Sequence, residues 1–197
     1  MPSYSIEGVK PVVDPSAYVH PTATLIGDVW VGPGCYVGPS ASLRGDFGRI
    51  VLKAGSNVQD NCVAHAFPGK DVIVEENGHV GHGAIIHGCT VGKDAMVGMN
   101  AVVMDDAVVA PRSILGACAF VKAGFSCEPG SLIVGAPAKI VRALDEEEIA
   151  WKRKGTEEYQ NLTVRCLNSM QECQPLAEAD PQRPRLLSSD YQPKRDS

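Results

Sequence analysis

The sequence predicts an all-β fold, a parallel β-helix built from six-residue repeats, followed by one helical segment. Aliphatic residues recur at intervals of six, as at Val19, Leu25, Val31, Val37 and Leu43, and the series resumes over positions 91 to 121. A small residue follows most of them four positions later, and Gly and Pro occupy many of the turns between. Neither the period of an α-helix nor that of a single strand fits, whereas this period is typical of hexapeptide β-helices.

Each repeat is predicted to form a short strand and a turn, and three repeats make one triangular coil of about 18 residues. The aliphatic side chain points into the prism, and the small residue lies at the corner, where a larger one would clash. The repeat fades near residue 130, and the turn sequence Gly-Ala-Pro-Ala-Lys at 135–139 ends it. We therefore predict a β-helix domain over residues 1–140.

Residues 141–173 are predicted to be helical. Asp145 is suited to cap the helix, and Glu146, Glu147 and Glu148 place carboxylates at its positive end. Gly155 leaves open a division into two helices. Apolar and polar residues broadly on one side are expected to face the β-helix, namely Ile149, Trp151 or Lys152, Tyr159, Leu162 and Cys166. Residues 174–197, rich in Pro, Arg, Asp and Ser, are predicted to form an extended or disordered tail.

Bulk properties exclude several classes of function. The net charge is -5 and there is no long basic stripe, so a nucleic-acid ligand is not expected. No apolar run approaches the roughly 18 residues of a membrane span, and the N-terminus lacks the pattern of a signal peptide. The cysteine count is odd without a Cys-x-x-Cys pair, and Cys35 and Cys62 fall at small-residue positions of the repeat. A reduced, cytoplasmic protein is the simplest interpretation.

Two of the five histidines occupy equivalent positions in the repeat. His65 follows the aliphatic position Ala64, and His87 follows Ile86. The irregular segment 66–78 replaces one repeat between them, so the two histidines lie one coil apart. Their imidazoles are therefore predicted to stack on the same face, about 4.8 Å apart, which is the ordinary strand spacing.

His82 lies on the preceding face and cannot readily reach a metal ion held by His65 and His87, but it can reach the equivalent site of a neighbouring subunit. Three imidazoles with an open fourth position are the ligand set of a catalytic zinc ion. The register thus predicts a metal site between the subunits of a cyclic homotrimer. Zn²⁺ is the expected ion, and Fe²⁺ or Co²⁺ fits the same ligands. Three unrelated surface histidines are the alternative.

A resemblance to a known family rests on several motifs: Arg44-Gly45-Asp46, Asn57-Val58-Gln59-Asp60, Val63-Ala64-His65-Ala66, Gly81-His82, Ile86-His87-Gly88 and Val97-Gly98-Met99-Asn100. Over roughly residues 10 to 160 the chain is similar to the γ-class carbonic anhydrase family of hexapeptide proteins. The resemblance implies a left-handed β-helix trimer with a divalent metal ion at each interface. It implies that two of the histidines belong to one subunit and the middle one to the next.

Within this family the chain resembles two branches, through the stretches 43–50, 77–82, 151–152, 158–160 and 183–186. One branch contains metal-dependent acyl-CoA thioesterases of phenylacetate degradation, and the other contains proteins of carnitine metabolism. The first branch is favoured, so the resemblance implies an acyl-CoA thioesterase of the phenylacetate pathway. Carbonic anhydrase activity and a non-catalytic accessory role, such as in carnitine metabolism, remain the alternatives.

The expected chemistry starts from a three-histidine zinc ion, which lowers the pKa of bound water to about 7 and makes hydroxide available for attack on carbon dioxide or on a thioester. Phe47 and Pro68 stand where the archetypal family member has proton-shuttling glutamates, which argues against fast hydration of carbon dioxide. A thiol leaving group needs less help, because its pKa is about 8.5. Phe47 and Phe67 would give an apolar entrance suited to an acyl chain or ring.

Further roles are assigned as hypotheses. Gln59 is expected to orient the hydroxide or to stabilise the developing oxyanion as an amide donor. Asn57 and Tyr159 match polar active-site positions of short family members, although Asn57 as a turn residue and Tyr159 as helix packing remain alternatives. The family uses residues such as Arg44, Asp46 and Asp60 in an ion-paired network at the interface, where a buried charge needs a partner.

Overall fold

The computed structural model describes residues 1–186, 189 and 191–192, and these residues form a parallel β-helix with one C-terminal α-helix. The elements are β1 (Ser3–Tyr4), β2 (Val12–Val13), β3 (Tyr18–Val19), β4 (Thr24–Val31), β5 (Tyr36–Val37), β6 (Ser42–Leu52), β7 (Asn57–Val58), β8 (Val63–His65), β9 (Val72–Val74), β10 (His79–Val80), β11 (Ile85–His87), β12 (Thr90–Val91), β13 (Met96–Val97), β14 (Val102–Val103), β15 (Val108–Val109), β16 (Ile114–Leu115), β17 (Phe120–Val121), β18 (Ser131–Val134), β19 (Lys139–Ala143) and α1 (Glu146–Ser169).

The strands stack in three faces. Face one contains β8, β11, β14 and β17, face two contains β9, β12 and β15, and face three contains β3, β5, β7, β10, β13, β16 and β18. The long strands β4 and β6 run through both face one and face two, since β6 pairs first with β8 and then with β9. All pairings between these strands are parallel except that of β18 with β19, where the chain turns back. The hexapeptide β-helix is thus confirmed, while its left-handed winding and trimeric assembly stay predictions.

The repeat positions predicted to point inward form the core. Val19 is only partly buried because it lies in the first coil, but the later positions are almost fully buried, among them Leu25, Val31, Val37, Leu43, Leu52, Val58, Ala64, Val91, Val97, Val103, Val109, Leu115 and Val121. Cys35 and Cys62 are buried at the corners as free thiols. Burial of the apolar side chains that stack at equivalent positions of the repeat therefore holds the coils together.

The helix α1 is continuous through Gly155, so the division into two helices that the sequence left open does not occur. Asp145 caps it, and the side chain of Glu148 accepts a hydrogen bond from the backbone N–H of Asp145 in return, completing a capping box. The buried face of the helix is more polar than expected, since Glu148, Lys152, Thr156 and Thr163 are buried there. β-structure also extends to Ala143, past the predicted boundary at 140, because β19 pairs with β18.

Those buried polar groups are tolerated because each has a partner. Glu148 receives two hydrogen bonds from the guanidinium of Arg142, at 2.6 and 3.0 Å. The ammonium of Lys152 donates to the carbonyl oxygen of Asn77 at 2.7 Å. Gln160 donates to the carbonyl of Gly55 at 3.2 Å, so α1 is fixed along the edge of face three.

After α1, residues 174–186 contain no helix or strand, and the extended or disordered tail stays a prediction. The part of that prediction that concerns residues 187, 188, 190 and 193–197 lies outside the described residues. No helix in the described part of the chain has the length and apolarity needed to cross a membrane.

Candidate metal centre

His65 and His87 lie side by side on face one. They are directly paired at the ends of β8 and β11, which confirms the register predicted from the repeat. Their ring centroids are 5.2 Å apart, and Nδ1 of His65 lies 3.2 Å from Nε2 of His87. The two imidazoles thus present one nitrogen each to the same point in space.

An aspartate lies behind each of these two rings. Nδ1 of His87 donates to Asp105 Oδ1 at 2.8 Å, because an ionised carboxylate can only accept. Nε2 of His65 lies 3.1 Å from Asp46 Oδ1 and also 3.1 Å from Arg44 Nη2, which is a donor. The tautomer of His65 that donates to Asp46 would direct a lone pair from Nδ1 toward Nε2 of His87, and two lone pairs in that arrangement suit a metal ion between them.

The separation of the two nitrogens fits a metal ion. Two histidine ligands at the usual zinc–nitrogen distance of about 2.05 Å and a tetrahedral angle are about 3.3 Å apart. The observed separation of His65 Nδ1 and His87 Nε2 is 3.2 Å. Carboxylates that accept from the second ring nitrogen are also typical of metal-binding histidines, since they fix the tautomer.

Asp105 was not among the residues predicted for the site. It lies 18 residues after His87, which is one regular coil, and its side chain is largely buried. Ile86 pairs with Val103, so Asp105 lies in the turn just after the position that stacks on His87. An aspartate about one coil after His87 was the signal that could have found it.

His82 lies away from this pair, at the turn between β10 and β11. It is exposed, and its Nδ1 donates to Asp60 Oδ2 at 2.6 Å, which leaves the lone pair on Nε2. Among the described residues of a single chain, no group of three His, Cys, Asp or Glu side chains converges on a possible metal position. One chain therefore supplies two converging ligands, and the shared three-histidine site stays a prediction.

The ion-pair network predicted for Arg44, Asp46 and Asp60 divides into two groups within one chain. Arg44 Nε lies 3.2 Å from Asp46 Oδ2, and Arg44 Nη2 lies 3.1 Å from His65 Nε2. Asp60 belongs instead with His82. Two of the three aspartates that support histidines were thus recognised in the sequence, but as structural residues.

Gln59 and Asn57 form a buried polar cluster with His79. Gln59 Nε2 donates to Asn57 Oδ1 at 3.0 Å and to His79 Nε2 at 2.7 Å. Burial, followed by the charges of Lys152 and His82, lowers the pKa of His79 to about 3, so its ring is neutral. A neutral ring accepts at one nitrogen only, and the shorter contact, to Gln59 rather than to Asn57 Nδ2 at 3.3 Å, assigns the lone pair to Nε2.

This cluster corrects the role expected of Gln59. Both amide hydrogens of Gln59 are engaged, so it has no donor left for an oxyanion. Its Oε1 remains as an acceptor, which suits the other expected role of orienting a water or hydroxide. Asn57 lies inside β7 and is buried, so it is not a surface turn residue. His79 was not recognised as part of the cluster from the sequence.

Tyr159 reaches His82 from α1. Its hydroxyl lies 3.3 Å from His82 Nε2, and its ring packs edge-on against His79 and Tyr36, each with centroids 5.3 Å apart. Burial, with a smaller contribution from the charge of Asp60, raises the pKa of Tyr159 to about 12. The residue thus combines helix packing with a protonated hydroxyl beside a predicted ligand.

Two phenylalanines flank the paired histidines. The ring of Phe47 lies 5.3 Å from that of His65, and the ring of Phe67 lies 5.1 Å from that of His87. Both side chains are more than half exposed, at 57% and 59%. Pro68 follows Phe67 on the same exposed loop. The surroundings of the two histidines are therefore apolar on their solvent side.

Similar proteins were found at three levels. The family model described as bacterial transferase hexapeptide (six repeats) matches residues 88–123. Carnitine operon protein CaiE from Salmonella agona is 54% identical over 195 residues, 98% of each chain, and the protein of that name from Escherichia coli K12 is 54% identical over 196 residues, 99% of this chain and all of the other. A hexapeptide transferase family protein from Anaplasma phagocytophilum superimposes with a TM-score of 0.80 at 36% identity, covering 83% of this chain and 97% of the other. A putative acetyltransferase from Bacillus cereus gives 0.82 at 31% identity, covering 83% and 95%.

These relatives change the branch that the sequence favoured. Both curated relatives carry the carnitine operon name over nearly their whole length, so the phenylacetate assignment is not supported. The chain belongs to the hexapeptide-repeat family that contains the carnitine operon protein CaiE.

Proposed function

We propose that this protein is a metal-dependent hydrolase of acyl-CoA thioesters, with its metal site shared between the subunits of a homotrimer. The observation that supports it most is the 3.2 Å approach of one ring nitrogen of His65 to one of His87, with an aspartate on the opposite side of each ring. His82 of a neighbouring subunit would be the third ligand. Zn²⁺ is the expected ion, with Fe²⁺ or Co²⁺ as alternatives.

The chain's own residues would hold and orient the reacting groups. A divalent ion bound by three imidazoles supplies a Lewis acid and an activated nucleophile at neutral pH. Asp46, Asp105 and Asp60 would hold the three rings in the tautomers that leave a lone pair toward the ion. Gln59 Oε1 is available to accept a hydrogen from the attacking water. Tyr159 keeps its proton at neutral pH, so its hydroxyl can donate to the thioester carbonyl oxygen.

The apolar setting favours a thioester over carbon dioxide. The thiolate of CoA leaves without a general acid, because the pKa of a thiol is about 8.5. Repeated hydration of carbon dioxide instead needs a group that carries a proton away in each turnover. Phe47 and Pro68 cannot do so, whereas Phe47 and Phe67 offer apolar surface to an acyl group.

A second candidate is an accessory protein of carnitine metabolism without catalysis of its own. The names of the curated relatives favour this candidate and the carnitine setting. The two candidates differ in one measurable property, since only the first requires a bound metal ion and release of free CoA.

The test is thiol release from a panel of acyl-CoA esters that includes carnitine-derived and phenylacetate-derived thioesters. We expect turnover that is lost on chelation and restored by Zn²⁺, and lost in His65→Ala and His87→Ala. His20→Ala is the matched control, because His20 contacts Thr22 and the ring of Tyr18, away from His65 and His87. A protein that binds no divalent ion and releases no CoA would be the accessory candidate. Hydration of carbon dioxide without thiol release would identify a carbonic anhydrase.

A further inference from the structure

A cavity of about 530 Å³ lies between α1 and face three. One end reaches His82 and Gln59, and the walls include Met96, Met99 and Trp151. The volume is in the range of small-molecule sites, which are concave, mostly apolar and provided with a few polar groups. The cavity therefore adjoins His82, the ligand that this subunit would contribute to the proposed shared centre, and it is large enough for part of a substrate.

The outer wall of the cavity comes from the C-terminal tail. Ser189 and Tyr191 line it. The ring of Tyr191 stacks on Trp151 with centroids 5.7 Å apart, and the indole N–H of Trp151 donates to the carbonyl of Gln192 at 3.0 Å. Tyr191 and Gln192 of the tail thus contact α1 through two interactions with the side chain of Trp151.

Gly155 also belongs to the surface of α1 that contacts Tyr191. Glycine is unfavourable inside a helix, so a buried glycine there needs a reason. A Cβ at this position would lie 2.7 Å from the hydroxyl oxygen of Tyr191 and 3.1 Å from the ring carbon that bears it. Gly155 and Trp151 are one helical turn apart on the same side of α1. The missing side chain therefore makes room for the Tyr191 ring.

The walls favour an uncharged occupant. Methionine and aromatic side chains contact apolar and aromatic groups well. The ammonium of Lys152 is already bonded to Asn77, and the carboxylate of Glu158 at the wall disfavours an anion. The faces of Trp151 and Tyr191 stack on each other and so do not form an open box for a cation.

We propose that this cavity holds the uncharged acyl group of the thioester, and that Tyr191 limits the length of acyl group that fits. The inference rests on the proposed function, because it is the reaction at the metal centre that places an acyl group at the His82 end. Methionine and aromatic walls accept aromatic and aliphatic acyl groups alike, so the predicted selection is by size.

The test uses S-alkyl-CoA thioethers, which bind like thioesters but cannot be hydrolysed. Affinities of the metal-loaded full-length protein for methyl to decyl and phenylethyl thioethers are measured by calorimetry. We expect affinity to rise with chain length and then to fall at least tenfold once the chain meets Tyr191. In Tyr191→Ala the fall should move to longer chains, while Tyr191→Phe should keep the wild-type profile because it keeps the ring.

The substitution Gly155→Ala tests the proposal independently of any change at Tyr191. It should raise the thermal stability of the helix or leave it unchanged, because alanine is the better helix former, and yet shift the chain-length profile as Tyr191→Ala does. Identical profiles in wild type, Tyr191→Ala and Gly155→Ala would overturn the proposal. Tighter binding of thioethers that end in a carboxylate or a trimethylammonium group than of uncharged chains would also overturn it. Thioether binding with the expected shifts, but no hydrolysis of any thioester, would reject the proposed function and leave the binding site in place.

Discussion

The replacement of Asp105 by Asn tests whether the two paired histidines are built to hold a metal ion. Asp105 accepts from His87 Nδ1 at 2.8 Å, and its side chain is 12% exposed, so the interaction is little screened by water. Loss of such a supporting carboxylate usually lowers metal affinity by about 10- to 100-fold, which corresponds to about 1.4–2.7 kcal/mol. Since the side-chain carbonyl of Asn can still accept this hydrogen bond, we expect Asp105→Asn to weaken metal affinity by about tenfold.

The neighbouring residue supplies the matched control. Asp106 is 57% exposed and pairs with Lys70 at 2.7 Å on the surface. An exposed pair contributes about 0–1 kcal/mol, so Asp106→Asn should leave metal affinity unchanged. Affinities are measured by competition with a coloured chelator. Equal metal affinities of wild type and Asp105→Asn, together with a loss of metal binding in His87→Ala, would refute the role given to Asp105.

The remaining predictions concern assembly, catalysis and pH. Mixed trimers of His82→Ala and His65→Ala should regain metal binding at some sites, as measured by metal content of isolated hybrids; no recovery would exclude a shared site. Gln59→Ala should lower kcat about 10²-fold, the effect of misplacing a reacting group, with metal content unchanged. Chelation should leave the β signal in circular dichroism intact, because the core is apolar and independent of the ion. Burial lowers the pKa of Lys152 to about 8, so the folded state loses this proton before the unfolded state does. The stability of wild type relative to Lys152→Met should therefore rise between about pH 8 and 10.5 in urea titrations.

The period of the repeat predicted the parts of the structure that depend on chain geometry. A residue that stacks on another one coil away is set by spacing alone, which is why the core positions and the pairing of His65 with His87 could be predicted. The partners of the Gln59 amide hydrogens depend on side-chain orientation, which the spacing of the repeat does not determine. The choice between Trp151 and Lys152 on the buried face of α1 was left open for a related reason, since Lys152 is tolerated there through a carbonyl of Asn77, which is distant in sequence.

The candidate site lies where the chain departs from the regular coil. The paired residues His65 and His87 are 22 residues apart, whereas Ile86 and Val103, paired in the next coil, are 17 apart, and the extra residues fall between β8 and β9. They form the loop 66–71, which places Phe67 against the ring of His87. In a regular coil the side chains next to the strand would stack on their equivalents above and below. The added residues free Phe67 from that stack, and Lys70 ties the loop to Asp106 in the next coil. Shortening the loop by deleting residues 67–70 should therefore keep the fold and the aspartate-supported histidine pair, but remove the apolar surface on which selection of an acyl substrate depends.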